Sequence, residues 1–206
     1  NSGLYDHLLP LFEAESDINV RIVAVGTGQA LRNAKKCDAE LVIVHSKIDE
    51  EKFVVDGFGS HRHDLMFNDF ILVGPKDDPA QIGAAKTTVE AFQKIATAKA
   101  RFASRSDDSG THKAERRFWQ TAGATPKEAS GKWYLETGLG MGATLNFAVQ
   151  ADAYALTDRA TWLTFKNKTT HMPLFQGDPA LFNQYGVVLV SQTHCPTIKA
   201  AESRIF

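Results

Sequence analysis

The feature that most constrains this chain is a repeated change of hydrophobic period. Short runs of β-branched and aliphatic residues alternate with segments whose apolar side chains recur every three or four positions. Ile18–Val25, Glu40–Val44, Phe70–Val73, Ala153–Leu156 and Val187–Val190 read as buried strands. Leu4, Leu8 and Phe12 share one helical face, and so do Val89, Phe92 and Ala96. Ala114, Phe118 and Ala122 form a third such face, and Met141, Leu145 and Val149 a fourth. Strands and helices in alternation predict an α/β fold of parallel sheets with helices on both faces. Trp119 is expected beside its helix's apolar stripe and partly exposed.

The 206 residues are enough for two lobes of about 100 residues each. Two breaks after predicted strands suggest where the lobes divide: the polar stretch Gly74–Pro79, and Thr157–Arg159. Residues 1–75 with 159–206 are then expected to build one discontinuous lobe, and residues 76–158 the other. Two connections side by side make a hinge. No strand precedes the first helix, which Ser2 is placed to cap, so a strand is expected ahead of residue 1. The net charge of −1 comes without a basic stripe, which argues against nucleic acid as a partner. No apolar run approaches the roughly 18 residues of a membrane span. Cys37 and Cys195 form no CxxC pair, which excludes the usual zinc and thioredoxin motifs. They can form a disulfide in an oxidising compartment, although sequence leaves their proximity open.

Three loops carry the chemistry. Ser104–His112 (SRSDDSGTH) opens a helix, whose first turn has free amides and a partial positive charge. An anion placed there meets several donors together. Ser109 and Thr111 add hydroxyls, Gly110 permits close backbone approach, and Arg105 offers a planar donor fork. Asp107 is placed to orient Arg105. The second loop, Val25–Ala30, carries Gly26, Thr27 and Gly28 but meets neither nucleotide-loop pattern. The third, Gly138–Thr144, sets Gly142, Ala143 and Thr144 at a helix start. Each loop alone also reads as an ordinary turn or capped helix. Together they suggest an anion site, because ligands of open α/β sheets bind beyond the carboxyl ends of the strands.

In order along the chain, Ala24–Ala30 (AVGTGQA), Phe67–Pro79, Ser104–His112, Gly140–Asn146 (GMGATLN), Ala155–Arg159 and Gln184–Val190 resemble the tungstate-binding solute receptors of bacterial ABC transporters. That resemblance implies a two-lobed periplasmic-binding-protein-like (type II) fold with a ligand cleft between hinged lobes. It implies capture of tungstate or molybdate as an oxyanion, with no cofactor and no catalysis. Phosphate or sulfate is the alternative ligand, and an oxyanion-handling enzyme on the same fold the alternative function. The implied ligand contacts are Thr27, Arg105, Ser109, Gly110, Thr111, Gly142, Ala143 and Thr144, with Asp107 orienting Arg105. The implied partner is a membrane permease, the protomer a monomer, and the location periplasmic or extracytoplasmic. The family's N-terminal Thr/Ser-rich anion loop has no counterpart here and is expected to precede residue 1.

Other polar clusters read more plainly. His61 and His63 would share a strand face, yet zinc needs further ligands at close range. Ser109, His112 and Asp108 invite a hydrolase reading, but the G-x-S-x-G elbow is absent. Glu50-Glu51-Lys52 is expected to be a solvated face.

Overall fold

The computed structural model describes residues 3–206, and the chain divides into two compact units. One unit is Asn68–Asn183; the other joins the chain up to Phe67 with Gln184–Phe206. The crossings fall inside two long strands, β2 (Gly59–Pro75) and β7 (Phe182–Val190). They differ from the breaks expected at 75/76 and 158/159. Gly and Pro mark the ends of strands, whereas this chain changes unit in mid-strand, where no turn residue is needed. Residues 159–183 stay with the first unit because Trp162, Phe175 and Leu181 are buried in its cores.

In the unit Asn68–Asn183, β2 pairs antiparallel with β5 (Ala155–Asp158), Phe70 facing Asp158 and Val73 facing Ala155. It also pairs antiparallel with β6 (His171–Phe175). A parallel pair, β3 (Phe102–Ser104) with β4 (Tyr134–Glu136), is joined by a parallel bridge from Phe102 to Tyr154. Alternation along β2 feeds two cores. Phe70 and Leu72 pack with Phe92 of α4 (Thr88–Ala98) and with Phe118 and Trp119 of α5 (Gly110–Thr121). Ile71 and Val73 pack with Met141 and Leu145 of α6 (Met141–Gln150) and Trp162 of α7 (Arg159–Thr164). A strand buried on both faces explains the unbroken apolar run Phe70–Val73.

In the other unit, β1 (Leu41–Val44) runs antiparallel to β7, Leu41 facing Leu189 and Val44 facing Gly186. Val42, Val44, Val188 and Val190 share one core with Leu31 and Ala34 of α2 (Thr27–Lys35) and Phe53 of α3 (Lys47–Val55). The Cys37–Cys195 disulfide ties the chain after α2 to the segment following β7. No residue of α1 (Leu4–Ser16) is fully buried, and α8 (Ala200–Ile205) is the last element.

Several expectations are corrected. The sheets are mixed rather than parallel, because β2 and β7 enter their sheets as crossing strands and not through a βαβ connection. Ile18–Val25 forms no strand with any described residue, and Ile22, Val23 and Val25 are exposed. A β-branched run needs a neighbouring strand to become one. Glu50 is fully buried, bonded by Arg62 Nε at 2.7 Å. Burial pushes its carboxyl up, opposed by the Arg62 hydrogen bond. Trp119 is buried, not partly exposed. The Ser2 cap lies outside the described residues; Gly3 stands at the α1 N-terminus.

Candidate functional site

The first turn of α5 is built around Ser109. Its side-chain oxygen accepts the His112 amide at 3.2 Å, and its carbonyl accepts the Lys113 amide at 2.9 Å. This N-cap leaves the amides of Gly110 and Thr111 without an intrahelical acceptor, and both residues are buried. Because Ser109 Oγ acts there as acceptor, it can still donate its own proton, which the Asp107 carboxylate draws toward it.

Arg105 stands just before this turn. Its Nη2 donates to Asp107 Oδ2 at 2.5 Å, while its Nε is enclosed with no partner. Asp107 Oδ1 accepts the Ser109 amide at 3.2 Å. Burial pushes the Asp107 carboxyl up, but hydrogen bonds from Ser109 and the Arg105 charge outweigh that and hold it below its ordinary value. Asp107 therefore stays ionised and bonds the guanidinium, leaving one N–H edge of Arg105 unspent.

The start of α6 lies beside the same loop. Thr137, just after β4, bonds the Ser104 carbonyl at the end of β3 through its amide at 2.9 Å and its hydroxyl at 3.0 Å. Thr137 Oγ1 also lies 2.9 Å from Thr144 Oγ1. Ser106 donates to Glu136 at 2.9 Å. These bonds bring the β3–α5 and β4–α6 loops together. The amides of Gly142 and Ala143 fall in the first turn of α6, free of intrahelical partners. A Cβ placed on Gly140 or Gly142 meets no atom within 4 Å, so packing does not demand these glycines.

The structure gives Thr144 a different part from the expected ligand donor. Its hydroxyl bonds Thr137 and the Leu139 carbonyl, and its amide bonds the Gly140 carbonyl. It braces the loop, as a fully buried hydroxyl must find partners close by. Thr27 belongs to the other unit, at the first position of α2. Its hydroxyl is buried without a partner, and the amides of Thr27, Gly28 and Gln29 are likewise unspent by the helix.

Sequence reasoning missed Thr137, which locks the two loops, and the buried Glu115 beneath them. Glu115 had a legible signal: it lies four residues after Thr111, three before Phe118 and four before Trp119, on the apolar stripe of α5. Thr137 had none, since a Thr before a Gly-rich loop is commonplace. Among the described residues, the only group of three metal-type ligands is Cys37, His194 and Cys195, and both cysteines are spent in the disulfide.

Helix starts, unspent amides and an oriented guanidinium define an anion-binding α/β domain, and comparison with known proteins agrees. Residues 1–203 match the PBP superfamily domain, to which the chain belongs. Within that superfamily the chain belongs to the family of the tungstate-binding protein TupA. It is 43% identical to "Tungstate-binding protein TupA" of Peptoclostridium acidaminophilum over the whole of this chain and 72% of that protein. Among solved structures it is similar to the tungstate ABC transporter structure from Geobacter sulfurreducens, with 47% identity and a TM-score of 0.87. That match covers 99% of this chain and 87% of the other. It is also similar to the tungstate-binding protein TupA from Desulfovibrio alaskensis, with 40% identity and a TM-score of 0.82, over 100% of this chain and 83% of the other.

Proposed function

We propose that this protein captures tungstate, with molybdate its closest competitor, and hands the ion to an ABC permease outside the cytoplasm without altering it. The observation that carries the reading is the enclosed, unpartnered Arg105 Nε beside the first turn of α5. A buried donor with no acceptor costs stability unless a ligand supplies one. In this reading Arg105, the Ser109 hydroxyl, the amides of Gly110 and Thr111, and those of Gly142 and Ala143 hold the ion. Thr144 acts through the loop it braces.

Asp107 holds Arg105 and the Ser109 amide, one bond on each carboxylate oxygen, and an ionised carboxylate can accept further bonds, so Asp107 by itself suits a protonated phosphate as well. The choice of tungstate rests on the kinship with named tungstate-binding proteins. The local geometry also argues against hydrolysis. Ser109 Oγ bonds the His112 main chain rather than its ring, and His112 Nδ1 accepts the Asp108 amide at 3.2 Å. A nucleophile needs its base within reach.

The kinship with named binding proteins supports the transport role and an extracytoplasmic location. Among the described residues, no helix is long and apolar enough to cross a membrane. A melting-temperature panel with tungstate, molybdate, sulfate, phosphate and chloride tests the reading. Tungstate a thousandfold above its Kd should stabilise the fold by about 4 kcal/mol. Absence of any shift with every oxyanion would refute it.

A further inference from the structure

Beneath the anion loops lies a carboxyl group that ion binding alone does not require. Glu115 of α5 is fully buried. Its Oε2 is 2.9 Å from Ser104 Oγ, its Oε1 is 2.7 Å from Tyr134 Oη, and those two hydroxyls are 2.9 Å from each other. The indole N–H of Trp119 donates to Oε1 at 3.2 Å.

These three oxygen–oxygen contacts can be counted in protons. An ionised Glu115 leaves two hydroxyl protons for three contacts, so one pair of oxygens faces each other with no hydrogen between them. A protonated Glu115 supplies the third. Its O–H donates to Ser104, Ser104 donates to Tyr134, and Tyr134 donates back to Oε1, which closes the ring. Rotating hydroxyls interconverts the two states with no movement of heavy atoms. Burial raises the carboxyl to about 7, against hydrogen bonds from Tyr134, Ser104 and Trp119.

The surroundings make this carboxyl sensitive to an anion in the loops. Of the ionisable groups around it, Tyr134 touches it, and Glu136, also on β4, acts on it through charge. α4 and β5 supply apolar Phe92 and Leu156 to this core, while Arg116 and Arg117 of α5 are exposed. No buried cation offsets its charge among these neighbours. Gly110, whose amide is proposed to meet the ion, precedes Glu115 by five residues, about 7.5 Å along the helix axis.

We propose that Glu115 couples ion capture to proton uptake: a dianion on the first turn of α5 draws one solvent proton onto the Glu115 carboxylate, and the proton leaves with the ion. The coupling rests on the oxyanion reading of the same site. The proton passes from water or buffer to Oε2, and the net charge brought into the unit falls from two negative charges to one. Glu115 thereby becomes a positioning residue with an electrostatic role. It anchors Ser104, on which both loops are tied, and it loses its charge when the ion arrives. Release at higher pH follows from the same linkage.

Two measurements test this. In the ion-free protein labelled with 13C at the Glu carboxyl carbon, the resonance absent from Glu115→Gln should titrate near neutral pH. Titration at the ordinary carboxylate value overturns the proposal whatever the ligand. Calorimetry with tungstate in buffers of different ionisation enthalpy should show fractional proton uptake at pH 7.5–8. Affinity should weaken about tenfold between pH 6 and pH 9, the effect of one pKa unit of coupling. Glu115→Gln, a neutral isostere, should bind with no proton uptake and a flat profile. Binding with no proton uptake in the parent protein overturns the coupling but leaves oxyanion capture standing. Uptake that persists in Glu115→Gln assigns the proton elsewhere, His112 being nearest to the loops, and also overturns it. No tungstate binding at any pH removes the oxyanion reading, and the coupling with it.

Discussion

Removing the Arg105 side chain should weaken tungstate binding by roughly 10- to 150-fold. The guanidinium is largely enclosed, so its unspent Nε–H faces little competition from water. One hydrogen bond to a charged group contributes about 1.5–3 kcal/mol, which sets that range. A second effect pushes the same way. Asp107 loses its partner in Arg105→Ala, and an ionised carboxylate beside a dianion repels it. The double variant Arg105→Ala/Asp107→Asn should therefore recover part of the loss. Arg105→Lys should fall between, since an ammonium keeps the charge but lacks the fork that serves Asp107 and the ion together. Titration calorimetry at pH 7.5 reads all four proteins. Melting without ligand verifies that the Ser109 cap survives. An Arg105→Ala affinity within twofold of the parent would refute the placement of this side chain at the ion.

Stability offers three further checks. The Glu115 carboxyl rises from 4.5 to about 7 on folding, so the folded state holds a proton there that the unfolded state has lost. Stability from this group is present below pH 4.5 and is lost as pH rises through about 7, so Glu115→Gln should gain on the order of 3 kcal/mol at pH 8 and little at pH 4; equal gains at both would contradict the titration. Gly74→Ala places a Cβ 2.4 Å from Tyr154 Cδ1, on a ring pinned by bonds to Ala80 and Asp78, and should cost about 1–3 kcal/mol in denaturant unfolding. The Cys37–Cys195 link spans 158 residues, and replacing both with Ala should lower stability by up to about 5 kcal/mol, the chain-entropy limit; an unchanged midpoint would show that the unfolded chain gains nothing from release.

How much of this was legible depends on whether a residue's role is local. The helix faces through Phe92, Phe118 and Leu145 are local patterns, and each turned up in a core. The Arg105–Asp107 pair and the Ser109 cap are also local, set by spacings of two and three residues. Strand direction was not, because nothing at Phe67-Asn68 or Asn183-Gln184 announces that the chain crosses between units there. Glu50 looked like a solvated acid until Arg62, twelve residues on, was seen to face it. Thr144 looked like a ligand because a hydroxyl at a helix start reads the same whether it serves an ion or a neighbouring Thr137. Ile18–Val25 had strand composition, but composition does not supply the neighbour that makes a strand.

The most direct test of the account is anomalous diffraction at a tungsten absorption edge from crystals grown with tungstate. A single tungsten peak should lie within hydrogen-bond reach, through its oxygens, of Arg105 Nε and the amides of Gly110 and Thr111. A fully occupied peak remote from those groups, or none at saturating tungstate, would contradict it.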